Sequence, residues 1–596
     1  MIFSSFFRRI AFLKNLYGDQ KFNIAVLTAL GFINGLLGSL GIGAMVPLFS
    51  FVAGGGHPGQ DPISRTVFLF FERLNFVPSV SSLLVLVSTL FILKGVALAV
   101  FGYVALRIAL AYEIGMRSSL YRRMLATNWS YLSGHKIGYL ENTLMVDVTY
   151  AKNILKRVSS AILIATSFFM YLALAFSISG FITSVTIVTG ALIVTVFLPL
   201  LKKTRRYSYK ASMLKKEIAN QINEHVIGAK TVKISGVESS INALVGGLFE
   251  KFRDISIRMY FIKDVPKDSF ETVSMLFIAL VFSVSYARPG FSFASFLVIM
   301  YLIQRIFSYV MQTHHLLHDV SEAIPYLQRI AVWDGELTRE REMNTGRASF
   351  SLNDRLEFRN VTFVYGESDW ALKGVSFSLA KGAMLGIIGP SGAGKTTVVD
   401  LLLRLFTPQE GEILVDGIRA GDIDLYDWRK HIGYVSQDIF LKNDTIAHNI
   451  AFYDDGVSRD DIVTAAKTAQ CYDFIMRLPQ GFDTVVGERG TRLSGGERQR
   501  IVLARVLAHK PSILILDEAT SAVDNESEAA IRNAVNRIKG ELTIIVIAHR
   551  LSTVMDVDSL LVVDNGVIVE RGKPKDLLGD ARSYFHRAYA AGAASY

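Results

Sequence analysis

Apolar residues in the first half of the chain come in long unbroken runs, not in the two- or 3.6-residue alternation of a soluble domain. Residues 22–52 carry no charge, and comparable stretches fall at 83–106, 161–180, 181–201, 270–287 and 291–310. Each is near the ~20 residues an α-helix needs to cross the hydrocarbon core of a bilayer, so the pattern predicts six membrane spans. The third and fourth are parted only around Ser179-Gly180-Phe181, which predicts a tight hairpin. Residues 107–157 and 202–267 lie between spans yet lack turn residues over most of their length. They predict helices that continue past the membrane as two antiparallel pairs, broken at 132–138 and at 227–229. Two amphipathic segments flank the first span. Residues 1–19 mix Phe3, Phe6, Phe7 and Ile10 with Arg8, Arg9 and Lys14, and residues 62–76 mix Phe68, Phe70 and Phe71 with Arg65, Glu72 and Arg73. Both read as interfacial helices, one on each face of the membrane.

Charge then orients these elements. The segment 107–157 carries Arg107, Arg117, Arg122, Arg123, Lys136, Lys152, Lys156 and Arg157, and the next opens with Lys202, Lys203, Arg205 and Arg206. The alternate connections hold only Arg65, Arg73 and Arg288. Lysine and arginine accumulate on the cytoplasmic side, so both long segments and both termini are expected there. Composition agrees: of 596 residues 51% are hydrophobic and only 19% charged, below the ~25% of soluble proteins. The apolar content excludes disorder, and a single cysteine, Cys471, excludes a disulfide scaffold. The formal net charge of +10 follows the membrane rule and calls for no nucleic acid.

Beyond about residue 340 short β runs alternate with helices, which predicts an α/β domain. Leu385-Gly386-Ile387-Ile388 reads as a buried strand entering Gly389-Pro390-Ser391-Gly392-Ala393-Gly394-Lys395-Thr396, followed by Thr397. This is G-x-x-x-x-G-K-[ST] between a strand and a helix, the context a phosphate-binding loop requires. Its glycines let backbone N–H groups close around phosphate oxygens at a helix N-terminus. Lys395 neutralises the β and γ phosphates, and the Thr396 hydroxyl ligates Mg²⁺. Ser512-Ile513-Leu514-Ile515-Leu516-Asp517-Glu518 is a second buried strand, ending in two carboxylates. Asp517 is placed to hold Mg²⁺ through water. Glu518, one residue on, projects differently and polarises the attacking water as general base.

Between these motifs lies Leu493-Ser494-Gly495-Gly496-Glu497-Arg498-Gln499-Arg500. With this octet the chain resembles the ATP-binding cassette (ABC) transporters over nearly its whole length. The resemblance implies an exporter-type half-transporter: a membrane α-helical domain of six transmembrane helices with long cytoplasmic extensions, then an α/β P-loop cassette. It also carries roles onto matching positions. Tyr365 stands where the family's aromatic stacks on adenine, and Gln437 where its glutamine senses Mg²⁺ and the attacking water. Asp524 lies in the loop that crosses to a partner cassette, with Val523 where the family more often has Leu. His549 stands where a histidine contacts the γ-phosphate. Ser494, Gly495 and Gly496 would reach an ATP held on the phosphate loop of a second cassette.

The expected catalytic set is therefore Lys395, Gln437, Glu518 and His549, with Thr396, Gln437 and Asp517 around Mg²⁺. One phosphate loop and one signature complete no site, and every expected catalytic position is intact, so a homodimer is the simplest assembly. The expected domains are a membrane domain at 1–335, a linker at 336–349 and a cassette at 350–596. Closure on ATP and reopening after hydrolysis would give alternating access across the cytoplasmic (inner) membrane. Charges inside spans bear on the cargo, because a charge at bilayer depth is costly and faces a cavity. Lys94 sits in the middle of the second span and Arg305 two-thirds along the sixth, with Arg258 and Lys263 approaching the fifth. Such a lining suits a phosphate or pyrophosphate headgroup. With the outer interfacial helix it resembles lipid-linked oligosaccharide flippases, and lipid A flippases closely beside them, so an anionic lipid or lipid-linked oligosaccharide is the expected substrate. A multidrug or peptide exporter is the alternative on the same scaffold. A nucleotide-gated channel or regulatory subunit fits less well, because Glu518 and Ser494 are intact.

Overall fold

The computed structural model describes residues 21–53, 62–73, 75–77, 79–286, 293–366, 370–517, 525–548 and 551–593. The interfacial helix expected over residues 1–19 lies outside them. The chain divides into two compact units, Met1–Thr127 with Tyr131–Arg341, and Asn128–Ser130 with Glu342–Tyr596.

The first unit is built from helices. α1 (Lys21–Gly43) and α2 (Met45–Ala53) share the first apolar segment and part at Ala44, where Pro47 has no N–H for the carbonyl four residues back. α3 (Pro62–Arg73) is a separate helix, as expected for the first connection; it buries Ser64, Phe68 and Phe71 and exposes Leu69 and Phe70. There follow α4 (Val80–Leu125), α5 (Trp129–Ser133), α6 (Ile137–Asn142), a π-helical turn (Thr143–Asp147) and α7 (Val148–Ile178). α8 (Gly180–Ile227), α9 (Ala229–Ser235), α10 (Glu238–Tyr286) and α11 (Phe293–Arg339) complete the unit. Among the described residues six segments are long and apolar enough to cross a membrane. α4, α8, α10 and α11 hold 46, 48, 49 and 47 residues. At ~1.5 Å per residue each runs about 70 Å, more than twice a hydrocarbon core of ~30 Å, so each continues beyond it. Ser179 alone joins α7 to α8, in the extended conformation, and caps α8 through the Ile182 N–H. The second long segment breaks where expected: Gly228 closes α8, and Gly236, at φ +61°, closes α9. The first is more interrupted than the sequence implied, with α5, α6 and the π turn in succession.

Within lipid no hydrophobic force separates helix from surroundings, so close backbone approach and satisfied polar groups hold the bundle. A Cβ at Gly35 of α1 would stand 3.2 Å from the Ser167 Cα of α7, and one at Gly38 would stand 2.3 Å from the Tyr171 hydroxyl. The extended parts are tied by charge. Arg329 of α11 donates to both carboxylate oxygens of Asp147 at 2.8 and 2.7 Å and to Ser212 of α8 at 2.6 Å. Its guanidinium lies 4.6 Å from the ring centre of Tyr326, which stacks on Tyr150 at 3.7 Å. Asp147 ends the π turn and is 1% exposed. Glu113 of α4 likewise binds Arg117 and, across to α7, Lys152, each at 2.8 Å.

The second unit carries two sheets. β1 (Arg355–Val364), β2 (Trp370–Ala380), β4 (Glu410–Val415) and β5 (Ile418–Arg419) form an antiparallel sheet in the order β2-β1-β4-β5. The other sheet comprises β3 (Met384–Ile388), β6 (Ile432–Val435), β7 (Ile513–Asp517), β8 (Thr543–Ile547), β9 (Ser559–Asp564) and β10 (Val567–Gly572). Its order is β10-β9-β3-β8-β7-β6, parallel except at β10. Every residue of β3, β7 and β8 is buried, which is why they read as continuous hydrophobic runs. α12 (Lys395–Leu402) packs into one core cluster and α13 (Gly495–Ala508) into another. Cys471 is buried in the second of these, where desolvation pushes its thiol up to about 12.

Removing one partner of a buried ion pair leaves an uncompensated charge at a cost of about 3–5 kcal/mol. Arg329→Met is therefore expected to lower the melting temperature of the detergent-solubilised protein. Adding Asp147→Asn should recover part of the loss, and equal melting of R329M and wild type would contradict this role.

Candidate functional site

The phosphate loop leaves β3 as a chain of turns that only glycine accepts. Gly389, Gly392 and Gly394 have φ of +153°, +77° and +104°. A Cβ at Gly389 would stand 2.0 Å from the Val563 carbonyl oxygen, and one at Gly394 2.5 Å from that of Ala371. Pro390 and Ala393 pin the loop through an N–H···O bond of 3.2 Å, and Ala393 accepts from Gly566 at 3.1 Å. Ser391 and Thr396 are exposed at the N-terminus of α12, while Lys395 is 6% exposed. The Lys395 ammonium donates to the carbonyls of Gly389 at 3.0 Å and Pro390 at 2.9 Å. Tyr365 follows β1 and is 37% exposed. Its hydroxyl donates to Asp400 at 3.0 Å and to Thr397 at 3.4 Å, and its ring meets Phe363 and Phe406 edge-on. Burial, with Asp400 beside it, pushes the Tyr365 hydroxyl up to about 12, and burial also raises Asp400.

Parallel pairing brings Asp517 to the same edge. Ile387 of β3 and Asp517 of β7 both register with Ile547 of β8, so the phosphate loop and Asp517 lie at adjoining strand ends, where open α/β sheets bind ligands. Asp517 is 4% exposed and accepts from Tyr434 of β6 at 3.1 Å. Desolvation, then the Asp517 charge, raises that phenol above its usual range. Gln437 is exposed just past the end of β6. Glu518, Asp524 and His549 lie outside the described residues; His549 follows β8 by two positions, and Glu518 directly follows β7. In the signature, Ser494 caps α13. Its hydroxyl accepts from the Glu497 N–H at 3.3 Å, and Glu497 accepts from the Ser494 N–H at 2.8 Å. Gly495 and Gly496 form the first turn, whose N–H groups attract anions.

The helical unit holds a second cluster. Lys94 of α4 donates to the Tyr171 hydroxyl of α7 at 3.0 Å, and Arg305 of α11 donates to Tyr301 at 2.9 Å. Tyr171 stacks on Tyr309 with ring centres 5.7 Å apart. Tyr301 and Tyr309 flank Arg305 on α11, four residues before and after it. Among the described residues neither Lys94 nor Arg305 has a carboxylate within ion-pair reach. Lys263, on α10, is bonded to Asp319 of α11 at 2.5 Å.

Two family profiles match: the ABC transporter transmembrane region over residues 22–309, and the ABC transporter itself over residues 372–521. The chain is 34% identical over 522 residues to an ATP-dependent lipid A-core flippase of Haemophilus influenzae (strain 86-028NP), spanning 83% of this chain and 85% of the relative. It is 31% identical over 529 residues to the protein of that name from Pseudomonas fluorescens (strain Pf0-1), spanning 88% and 87%. The structure of a bacterial Atm1-family ABC exporter with ATP bound superposes with a TM-score of 0.79 at 25% identity, over 96% of this chain and 99% of that one.

The chain belongs to the ABC transporter family. It is a multi-pass membrane protein that binds ATP and couples its hydrolysis to transport, on the exporter fold that the sequence predicted. Reading the sequence of this ABC transporter missed the tyrosines. Tyr301 is legible, four residues before Arg305 on one helix face. Tyr171 and Tyr309 around Lys94, Asp400 beneath Tyr365 and Tyr434 on Asp517 come together only through packing.

A side chain at Gly394 is strained by its positive φ and by the Ala371 carbonyl, a penalty of ~1–3 kcal/mol. Gly394→Ala is expected to weaken binding of a fluorescent ATP analogue by about tenfold. Gly421→Ala, where a Cβ meets nothing within 4 Å, should bind as wild type does, and equal affinities for all three would contradict the geometry.

Proposed function

We propose that this ABC transporter flips an anionic, phosphate-bearing lipid or lipid-linked oligosaccharide across the cytoplasmic membrane, working as a homodimer with its cassettes and both termini in the cytoplasm. The observation that carries the substrate reading is the Lys94–Arg305 cluster. Two cations among apolar helices are costly, and tyrosine hydroxyls solvate them without neutralising them. A phosphate between them would compensate both. The lipid A-core flippases among the relatives support the same class of cargo.

In the cassette, Tyr365 would stack on adenine with its hydroxyl held by Asp400. The backbone N–H groups from Ser391 to Thr397 would surround the phosphates, and Lys395 would turn from its own loop carbonyls to the β and γ phosphates. Thr396, Gln437 and Asp517 offer only oxygen donors, the set a hard cation prefers, and fit Mg²⁺. Bound there, Mg²⁺ offsets the charge that develops on the β and γ phosphates. Glu518 would polarise the attacking water, and His549 would contact the γ-phosphate. The chain carries one phosphate loop and one signature, which is the basis for a two-fold dimer. In it Ser494, Gly495 and Gly496 of one copy face the ATP of the other, with Asp524 in the crossing loop.

ATPase activity in proteoliposomes with graded amounts of a phosphate-bearing glycolipid tests the proposal. Wild type should be stimulated, and Glu518→Gln should abolish hydrolysis. The double variant Lys94→Ala, Arg305→Ala should need about tenfold more lipid for half-maximal stimulation, since charge-assisted hydrogen bonds contribute ~1.5–3 kcal/mol. Stimulation by hydrophobic amines but not by the glycolipid would instead fit a drug exporter.

A further inference from the structure

Away from both sites, a cavity of about 310 Å³ opens among α7, α10 and α11. It is lined by charges of both signs: Lys156 and Arg157 from α7, Lys263 from α10, and Asp319 and Glu322 from α11. These charges are unevenly matched. Asp319 takes two cations, Arg157 at 2.9 Å and Lys263 at 2.5 Å. The ion-pair neighbour of Glu322 is that same Lys263 ammonium, at 3.8 Å. Lys215 of α8 adds to the positive field there, yet no side chain among the described residues donates a hydrogen bond to the Glu322 carboxylate. Lys156 makes no ion pair among the described residues.

One wall therefore presents a surplus of positive charge, and the other a carboxylate short of donors. A simple anion satisfies the first wall and is repelled by the second, and a simple cation does the reverse. A ligand carrying both charges satisfies both. The volume is enough for a polar headgroup.

We propose that this cavity binds a zwitterion joining a phosphate to a primary ammonium, with the phosphate on Lys156 and Arg157 and the ammonium on Glu322. Such a group reaches the site either as the headgroup of phosphatidylethanolamine or as soluble phosphoethanolamine. The site goes beyond the substrate reading given above. Its readout is direct binding, so it stands or falls separately from lipid transport.

The test is calorimetric titration of the full chain in phosphatidylglycerol nanodiscs with O-phosphoethanolamine, inorganic phosphate and ethanolamine. Phosphoethanolamine should bind about tenfold tighter than either fragment, because each wall contributes a charge-assisted contact. Glu322→Gln should reduce its affinity to that of phosphate, and Lys156→Gln to that of ethanolamine, with gel filtration and melting temperature reporting intact folding. Repeating the titration in nanodiscs that contain phosphatidylethanolamine identifies the source: competition assigns the site to the lipid headgroup, and unchanged binding assigns it to the soluble molecule. Phosphoethanolamine binding no tighter than phosphate in the wild type would overturn the proposal, and so would binding indifferent to both substitutions.

Discussion

A polar group withdrawn from water has to find its partner inside the protein, and this constraint shapes the helical unit from end to end. Backbone groups meet it by forming helices of 46 to 49 residues that run past the hydrocarbon on one side. Side chains meet it by pairing. Asp147 and Arg329 neutralise each other and draw in Ser212, Tyr326 and Tyr150, and Glu113 holds Arg117 and Lys152. Against that background Lys94 and Arg305 stand out, because among the described residues they are bonded to tyrosines and not to carboxylates. Gly38 is part of the same arrangement. A methyl group there would collide with the Tyr171 hydroxyl that solvates Lys94.

The cassette meets a related demand with backbone geometry. Phosphate oxygens need N–H donors, and the loop presents them by turning through positive φ at Gly389, Gly392 and Gly394, packed against the carbonyls of Val563 and Ala371. Parallel register then brings Asp517 to the adjoining strand end, with Tyr434 fixing its carboxylate. The signature lies at the start of a helix in a different core cluster. In the proposed homodimer each cassette would supply half of two sites, so nucleotide binding would be linked to the meeting of two chains.

Most of this was legible in the sequence because its signals are local. Apolar runs mark spans, and the glycine spacing of 389–394 marks a strand–loop–helix turn wherever it occurs. The Ser179 hairpin and the Gly228 break could be read from single residues. The interruptions between Leu125 and Val148 were harder, since no glycine or proline marks the π turn, and Asp147 at its end pairs with Arg329 far along the chain. The bond of Lys263 was hidden for the same reason: its partner, Asp319, lies on another helix. The tyrosines that define the Lys94 cluster come from α7 and α11, and only Tyr301 is linked to its arginine by helical spacing.

The proposed substrate reading rests on Lys94 and Arg305, and the lipid retained by the protein tests it. Mass spectrometry of the lipids that co-purify in a native-lipid particle should find a phosphate-bearing glycolipid enriched over its share of the membrane. That enrichment should vanish when both residues are replaced by alanine. Recovery of bulk phospholipids alone, in membrane proportions and unaltered by the substitutions, would contradict an anionic lipid as the substrate.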